Sequence, residues 1–454
     1  MSATPRDRRR STQVRPLALA LGIAAAAAVG GPRLAGAQGN GEASFLGATL
    51  ERDALIEAVL VRNPSIEAAR QAWQAALHRV PQARSLDDPR VSYGLGPLSV
   101  GSGERFGQVI EVAQHFPAAG TLRLRAEVAR AEADVARHEH AGARLALAHL
   151  AALLFSDYYL VHRAIEINGE QLALLEDFKR IATAQYASGT AAQQDPLQAE
   201  VEVAHLLHRR VTLESARQVA AAQINALLHR RPELPLPPPP RGLAVPDSDP
   251  PAAAALQELA VRGRPELGAA AAATRARAAG VELSERGFRP DFELMGSFNS
   301  MWDMNAHRFM VGVGVRLPIR RGRVRAAVAE SEALLAQARS EELSLEDEVR
   351  SEVLQAHTRL LEAHHVVQLH LDRLLPTARD QVQAALAGFR SGQNSFLALI
   401  EAERNQRTTR LGLEEALAGQ DRARADLDRA LGRAPGSDVP ADELPAEAGG
   451  QEVE

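Results

Sequence analysis

The chain repeats itself, and that duplication limits its fold more than any other feature. Pro64, Pro89 and Pro117 recur 201 residues later as Pro265, Pro290 and Pro318. Pro117-Ala118-Ala119-Gly120 then becomes Pro318-Ile319-Arg320-Arg321-Gly322, one residue longer, and the offset rises. Tyr186-Ala187-Ser188-Gly189 matches Phe389-Arg390-Ser391-Gly392 at 203, as do Ala199-Glu200 with Ala402-Glu403, Leu228 with Leu431 and Pro232 with Pro435. A register this steady defines two copies of one unit, residues 51–232 and 252–435. Residues 233–251 join them. The stretch Pro232 to Pro251 holds nine prolines and reads as a stiff, extended connector. Residues 436–454 form an acidic tail that composition assigns to disorder.

The N-terminus carries an export address. Arg6, Arg8, Arg9, Arg10 and Arg15 precede an apolar run of 13 residues, Leu17 to Val29, too short for a span of about 20. Ala35-Gly36-Ala37 then supplies a cleavage site, so residues 1–37 read as a bacterial signal peptide and 38–50 as an N-terminal extension. Without residues 1–37 the formal charge moves from −5 to about −10, which argues against a nucleic-acid partner. The chain has no cysteine. Disulfides, thiolate-bound zinc, iron–sulfur clusters, a cysteine nucleophile and a lipid-modified cysteine are thereby excluded. Its single lysine, Lys179, follows Phe178, which rules out a Walker A loop.

Each copy reads as an opening helix, two strands, a very long helix and a return helix. In the second copy Phe292, Leu294 and Phe298 alternate with Glu293, Ser297 and Asn299. Val311, Val313, Val315 and Leu317 alternate with Met310, Gly312, Gly314 and Arg316. The first copy repeats the parity: Ile110, Val112 and Phe116 oppose Val109, Glu111 and His115. Period two with one polar face marks half-buried strands, about 90–117 and 291–318, folded as hairpins. About ten residues is what a tilted strand needs to cross a bilayer. The alternation alone also fits two hairpins packed on helices in a soluble protein. Glu111, His115, Glu293, Asn299 and Arg316 are the candidate lumen-facing residues.

Gly120 to about Ala187 is free of proline and rich in helix formers, roughly 100 Å of helix at 1.5 Å per residue. Its counterpart, Gly322 to Ala387, contains Pro376, which predicts a kink rather than an end. The return passes, about 194–228 and 396–431, and the opening helices, about 51–84 and 252–286, are each half as long. Two short helices placed end to end therefore match one long one. The expected pairing joins each return helix to the opening helix of the other copy. Hairpin tips fall at about 187–195 and 389–397, where Gly189 and Gly392 suit the left-handed conformation that ends a helix.

Four strands cannot close a barrel, and open edges are not tolerated in lipid. Two chains supply eight strands with a filled interior, three supply twelve and a wet lumen. The polar inward positions favour three. The fold class is thus mainly α with a β-barrel part: a homotrimer whose outer-membrane barrel continues into a periplasmic α-helical tube.

The duplicated frame, the prolines at the strand junctions and the two tip motifs resemble the TolC-like outer-membrane efflux protein family. The motifs are Tyr186 to Thr190 with Asp195, Leu197 and Ala199-Glu200, and Phe389 to Gln393 with Ile400 and Glu401-Ala402-Glu403. The resemblance implies a trimeric exit duct in the outer membrane of a Gram-negative bacterium. It implies a periplasmic adaptor and an inner-membrane pump as partners, no enzymatic activity and no cofactor. It places Phe389, Glu401 and Asp195 at a periplasmic aperture. Asn394 stands where the family has a basic residue and Ala398 where it has an acid, so fewer ion pairs would hold that gate. An ordinary solvated helix surface also accounts for Asp195 and Glu401. The segment Gln114 to Arg125 leans toward the branch serving heavy-metal cation exporters. An exit duct for type I protein secretion is the alternative within the class. A periplasmic helical adaptor or metal-binding protein is the alternative outside it, prompted by His205, His208, Glu362, His364, His365 and His370, whose simplest reading is solvated helix surface.

Overall fold

The computed structural model describes residues 47–96, 107–190, 192–244, 250–302, 307–391 and 393–435. The signal peptide, most of the N-terminal extension, the two strand-connecting loops, Gly392 and the acidic tail lie outside them.

The elements follow the duplication. α1 (Arg52–Arg62) and α2 (Pro64–Arg84) lead to β1 (Arg90–Gly96) and β2 (Gly107–Phe116), then α3 (Thr121–Ala187) and α4 (Gln194–Leu227). The second copy gives α5 (Ala253–Gly263), α6 (Pro265–Glu285), β3 (Asp291–Asn299), β4 (Phe309–Arg316), α7 (Arg321–Leu369), α8 (Leu375–Arg390) and α9 (Phe396–Ala430).

The opening helices differ from expectation. Each is two helices, broken at Asn63 and Arg264, where the backbone turns extended at φ −72°, ψ 121° and φ −74°, ψ 122°. Both residues precede a proline, whose ring clashes with a helical neighbour and fixes the break. Asn63 caps α2 by accepting from Ser65 N at 2.9 Å.

Pro376 acts as expected, by a specific device. Residues His370–Leu374 form one π-turn between α7 and α8. The widened turn absorbs the missing N–H and the steric demand of the proline ring, so the helical path continues.

All four strands form one antiparallel sheet in the order β1-β2-β3-β4. The two hairpins are joined by β2 and β3, with Ile110 opposite Phe298 and Phe116 opposite Phe292. Each strand continues a helical column: α2 into β1, β2 into α3, α6 into β3, β4 into α7. At the strand end the helices pack in that same order, α2 on α3, α3 on α6, α6 on α7. Toward the far end, α4 takes the place of α2, and α9 that of α6.

The stacking also differs from expectation. Each return helix meets the opening helices of its own copy. Asn63 Nδ2 donates to Leu227 O at the end of α4, 2.9 Å away. In the second copy the close of α9 touches the α5–α6 break, where a Cβ on Gly432 would come 2.9 Å from Gly263 O.

Three cores hold these columns. Leu55, Val59, Phe155 and Ile224 join α1, α3 and α4. Leu256, Val353, Leu360 and Leu427 join α5, α7 and α9 in the equivalent place. Phe178, Leu206, Phe396 and Ile400 join both copies toward the tips. Alanines 148, 151 and 152 are buried and let α3 sit close to its neighbours. A window of α3 has mean hydropathy 1.3, enough by length and composition to cross a membrane. α3 nevertheless packs along its length on α2, α4, α6 and α9.

Candidate conducting face and helical tips

The pairing register separates the sheet into two faces. Val91, Tyr93, Leu95, Ile110, Val112, Phe116, Phe292, Leu294, Phe298, Phe309, Val311, Val313 and Val315 share one. Among the described residues no helix covers this face, and Val311 is 84 % exposed. The stripe runs on past β4 through Leu317 and Ile319, the latter 85 % exposed. An uncovered apolar surface this large on a single chain marks contact with lipid or protein.

The opposite face is polar and small. Glu111, His115, Glu293, Asn299 and Arg316 all lie on it, together with Ser92, Ser297 and five glycines. Arg90 stands 3.6 Å from Glu111. His115 lies 3.5 Å from Asp291 and 3.7 Å from Asp87. Arg316 is in register with Asp291. Among the described residues β1 and β4 have no strand partner on their outer sides, so both edges carry free ladder groups.

The first tip is a helix-terminating turn in full. Gly189 has φ +76°. Thr190 N donates to Gln185 O at 2.9 Å and Gly189 N to Tyr186 O at 3.0 Å, the double bond of a Schellman end. At the second tip Gln393 N donates to Gly388 O at 2.8 Å, the corresponding long bond. Gly392 itself lies outside the described residues. Asn394 N also reaches Gly388 O, at 3.0 Å, and its side chain rests over Gly388.

The aperture candidates do not converge within one chain. Phe389 is half-buried and packs on Phe396, ring centroids 5.6 Å apart. Asp195 occupies the first turn of α4. Glu401 is exposed on α9. Among the described residues no hydrogen bond or ion pair joins Asp195, Asn394 and Glu401 side chains.

Two features escaped the sequence reading. One is a polar seam between α3 and α9, which ties the copies together. His149 meets Asp426 at 2.7 Å, Tyr159 donates to Glu414 at 2.7 Å, and Arg410 donates to Glu170 at 2.6 Å. The other is a difference between matched glutamates. Glu200 pairs with Lys179 across α3 and α4. At the same offset Val382 replaces the lysine, and Glu403 turns instead toward Gln171. Glu403 is 5 % exposed with Oε2 unpartnered. Burial pushes its carboxyl above the ordinary range, a shift that Gln171 and Arg410 oppose. The offset that aligns the copies contained this signal, since it sets Lys179 against Val382.

The resemblance read from the sequence holds in the comparisons with known proteins. Residues 256–433, nearly the whole second copy, match the family model described as outer membrane efflux protein. The described fold is that of outer-membrane efflux channels. The outer-membrane channel OprN has TM-score 0.70 at 21 % identity, over 86 % of this chain and 92 % of that one. VceC from Vibrio cholerae has TM-score 0.72 at 18 % identity, over 84 % and 96 %. The open state of MtrE from Neisseria gonorrhoeae has TM-score 0.70 at 17 % identity, over 84 % and 89 %. No curated protein sequence matches at a significant level.

Proposed function

We propose that three copies of this chain form an outer-membrane exit duct of a tripartite efflux system. The observation that carries the reading is the four-stranded sheet: apolar and uncovered on one face, polar on the other, open at both edges. In lipid those edges must be paired. β4 of one copy beside β1 of the next closes a twelve-stranded barrel with the apolar face to lipid and Glu111, His115, Glu293, Asn299 and Arg316 to the lumen. The helical columns extend the duct into the periplasm for roughly 100 Å. α2 with α4 and α7 with α8 form the outer columns. Their exposed rows, Leu197, Val201 and Val211 on α4 and Leu343, Leu354 and Leu369 on α7, suit subunit contacts. The tips are then the surface for a periplasmic adaptor, which links the duct to an inner-membrane pump. The duct conducts drugs or metal cations passively.

Phe389, Asp195, Glu401 and Asn394 are assigned to the periplasmic aperture, brought together between subunits. Protein reconstituted in planar bilayers is expected to show discrete conductance steps, larger in the Asp195→Ala/Glu401→Ala variant. Steps of unchanged size would remove these acids from the aperture, and an absence of steps would remove the duct.

A further inference from the structure

Where the apolar face of the sheet ends, arginines begin. The chain passes between helix and strand four times, in residues 84–89, 117–125, 286–290 and 317–325, and these segments hold nine arginines and two acids, Asp87 and Asp88. The chain as a whole is net acidic, so the excess is local. The register sets all four crossings at one end of the sheet, with Phe116 opposite Phe292 and Asp291 opposite Arg316. Neighbouring strands lie about 4.8 Å apart, so the four crossings span about 14 Å.

The fourth crossing carries most of the charge. Leu317 and Ile319 continue the exposed apolar stripe of β4, and Arg320, Arg321, Arg323 and Arg325 follow at once. Exposed Leu86 and Phe288 stand beside Arg84 and Arg289 in the first and third crossings. All six of these arginines are exposed, and among the described residues none of them forms an ion pair. The next acid along α7 is Glu330. The matched crossing of the first copy is different, since Ala118 and Thr121 are buried there. The basic stretch therefore belongs to the copy at the edge, not to the frame that both copies share.

A second copy seated along β4 does not neutralise this charge. Its β1 edge would bring Arg79 and Arg84 with Asp87 and Asp88, and Asp87 already lies 3.7 Å from His115. The one acid of α2, Glu67, is at the far end of that helix and paired with Arg70. The counter-charge must come from outside the protein. Phosphate oxygens accept from a guanidinium in parallel pairs. Apolar residues giving way to long cationic side chains match the boundary of a bilayer, where such side chains reach the headgroups.

We propose that Arg320, Arg321, Arg323 and Arg325, with Arg84 and Arg289 beside them, bind the phosphate groups of anionic phospholipids in the leaflet facing the periplasm. The inference rests on the channel reading, which puts the apolar face in the bilayer and the helices in the periplasm. It adds a headgroup selectivity that the apolar face does not provide. Hydrocarbon contact treats all headgroups alike, whereas unneutralised arginines favour an acidic one.

The test is native mass spectrometry of the detergent-purified full protein, given equal amounts of dioleoyl phosphatidylglycerol or dioleoyl phosphatidylcholine. The acyl chains are identical, so the comparison isolates the headgroup. The native oligomer is expected to retain at least fivefold more phosphatidylglycerol than phosphatidylcholine. Arg320→Gln/Arg321→Gln/Arg323→Gln/Arg325→Gln is expected to lose that preference at unchanged oligomer mass. All four sites are exposed, so the fold is kept. Arg339→Gln/Arg359→Gln, at exposed sites at least about 21 Å further along α7, is expected to keep the preference. Equal retention of the two lipids by the native oligomer, or an undiminished preference in the fourfold variant, overturns the inference and leaves the channel standing. So does a fourfold variant that falls apart into monomers, which would assign these arginines to the subunit boundary. A native protein recovered as a water-soluble monomer without detergent or lipid overturns both.

Discussion

The two copies share a frame but not a position. α3 is enclosed, with α2 and α4 on one side and α6 and α9 on the other. Its matched helix, α7, packs among the described helices mainly on α5, α6 and α9. The sequences follow this. α3 buries Phe155, Tyr158 and Tyr159 at its centre, while Leu343, Leu354 and Leu369 of α7 face outward. The first copy's long helix is a core, and the second's leaves one side open. Duplication thus supplied one architecture, and divergence assigned one copy to the inside and one to the edge.

The largest effect that tests this contrast comes from truncation. Phe155→Ala is expected to cost about 3–5 kcal/mol, the penalty for emptying a closed core. Leu354→Ala is expected to cost under about 1 kcal/mol in the protomer and to weaken assembly instead. Denaturant unfolding of the helical signal, run beside oligomer mass, separates the two. Similar losses in protomer stability would erase the distinction between inner and outer helix.

Next come the helix ends. α9 closes on Gly432 at φ +78°, and α4 closes on His229 at φ +54°. Gly432→Ala meets both a strained backbone and the Gly263 carbonyl, and is expected to cost about 2 kcal/mol. His229→Gly relieves strain at the matched site and is expected to raise stability by up to about 1 kcal/mol. Thermal unfolding of both variants reads the contrast, and a destabilised His229→Gly would mean the histidine's contacts outweigh its strain.

The matched glutamates give the smallest and most pH-sensitive effect. Glu403 binds its proton more tightly when folded, because burial disfavours the charge. Its penalty is absent below the ordinary glutamate value of 4.5, grows as pH rises through the raised folded value, and is full above it. Glu403→Gln is therefore expected to be more stable than the native chain by about 1 kcal/mol at pH 7 and equal to it at pH 4. Glu200→Gln loses an exposed pair with Lys179 and is expected to cost only a few tenths of a kcal/mol. Unfolding curves at the two pH values check both. A pH-independent gain in Glu403→Gln would place the benefit in packing rather than charge.

Much of this architecture was legible before any coordinates. The span of α3 followed from an unbroken run of helix formers between Gly120 and Gly189, since nothing tertiary was needed to start or stop it. The parity of Glu111, His115, Glu293, Asn299 and Arg316 followed from period two alone. The breaks at Asn63 and Arg264 were legible but overlooked. Pro64 and Pro265 anchored the repeat register, and each also forbids helix at the residue before it. The stacking of α4 on α2 and α9 on α6 was not legible, because it depends on where the turns after Leu228 and Leu431 aim the chain. The tip residues Asp195 and Glu401 remain apart within one protomer.

The central claim is that this open sheet is closed by two further copies in the outer membrane. Native mass spectrometry of protein extracted in detergent from the outer-membrane fraction tests it most directly. The account predicts a species of three times the mass of residues 38–454. A water-soluble monomer or dimer would contradict it and return the hairpins to the surface of an exported helical protein.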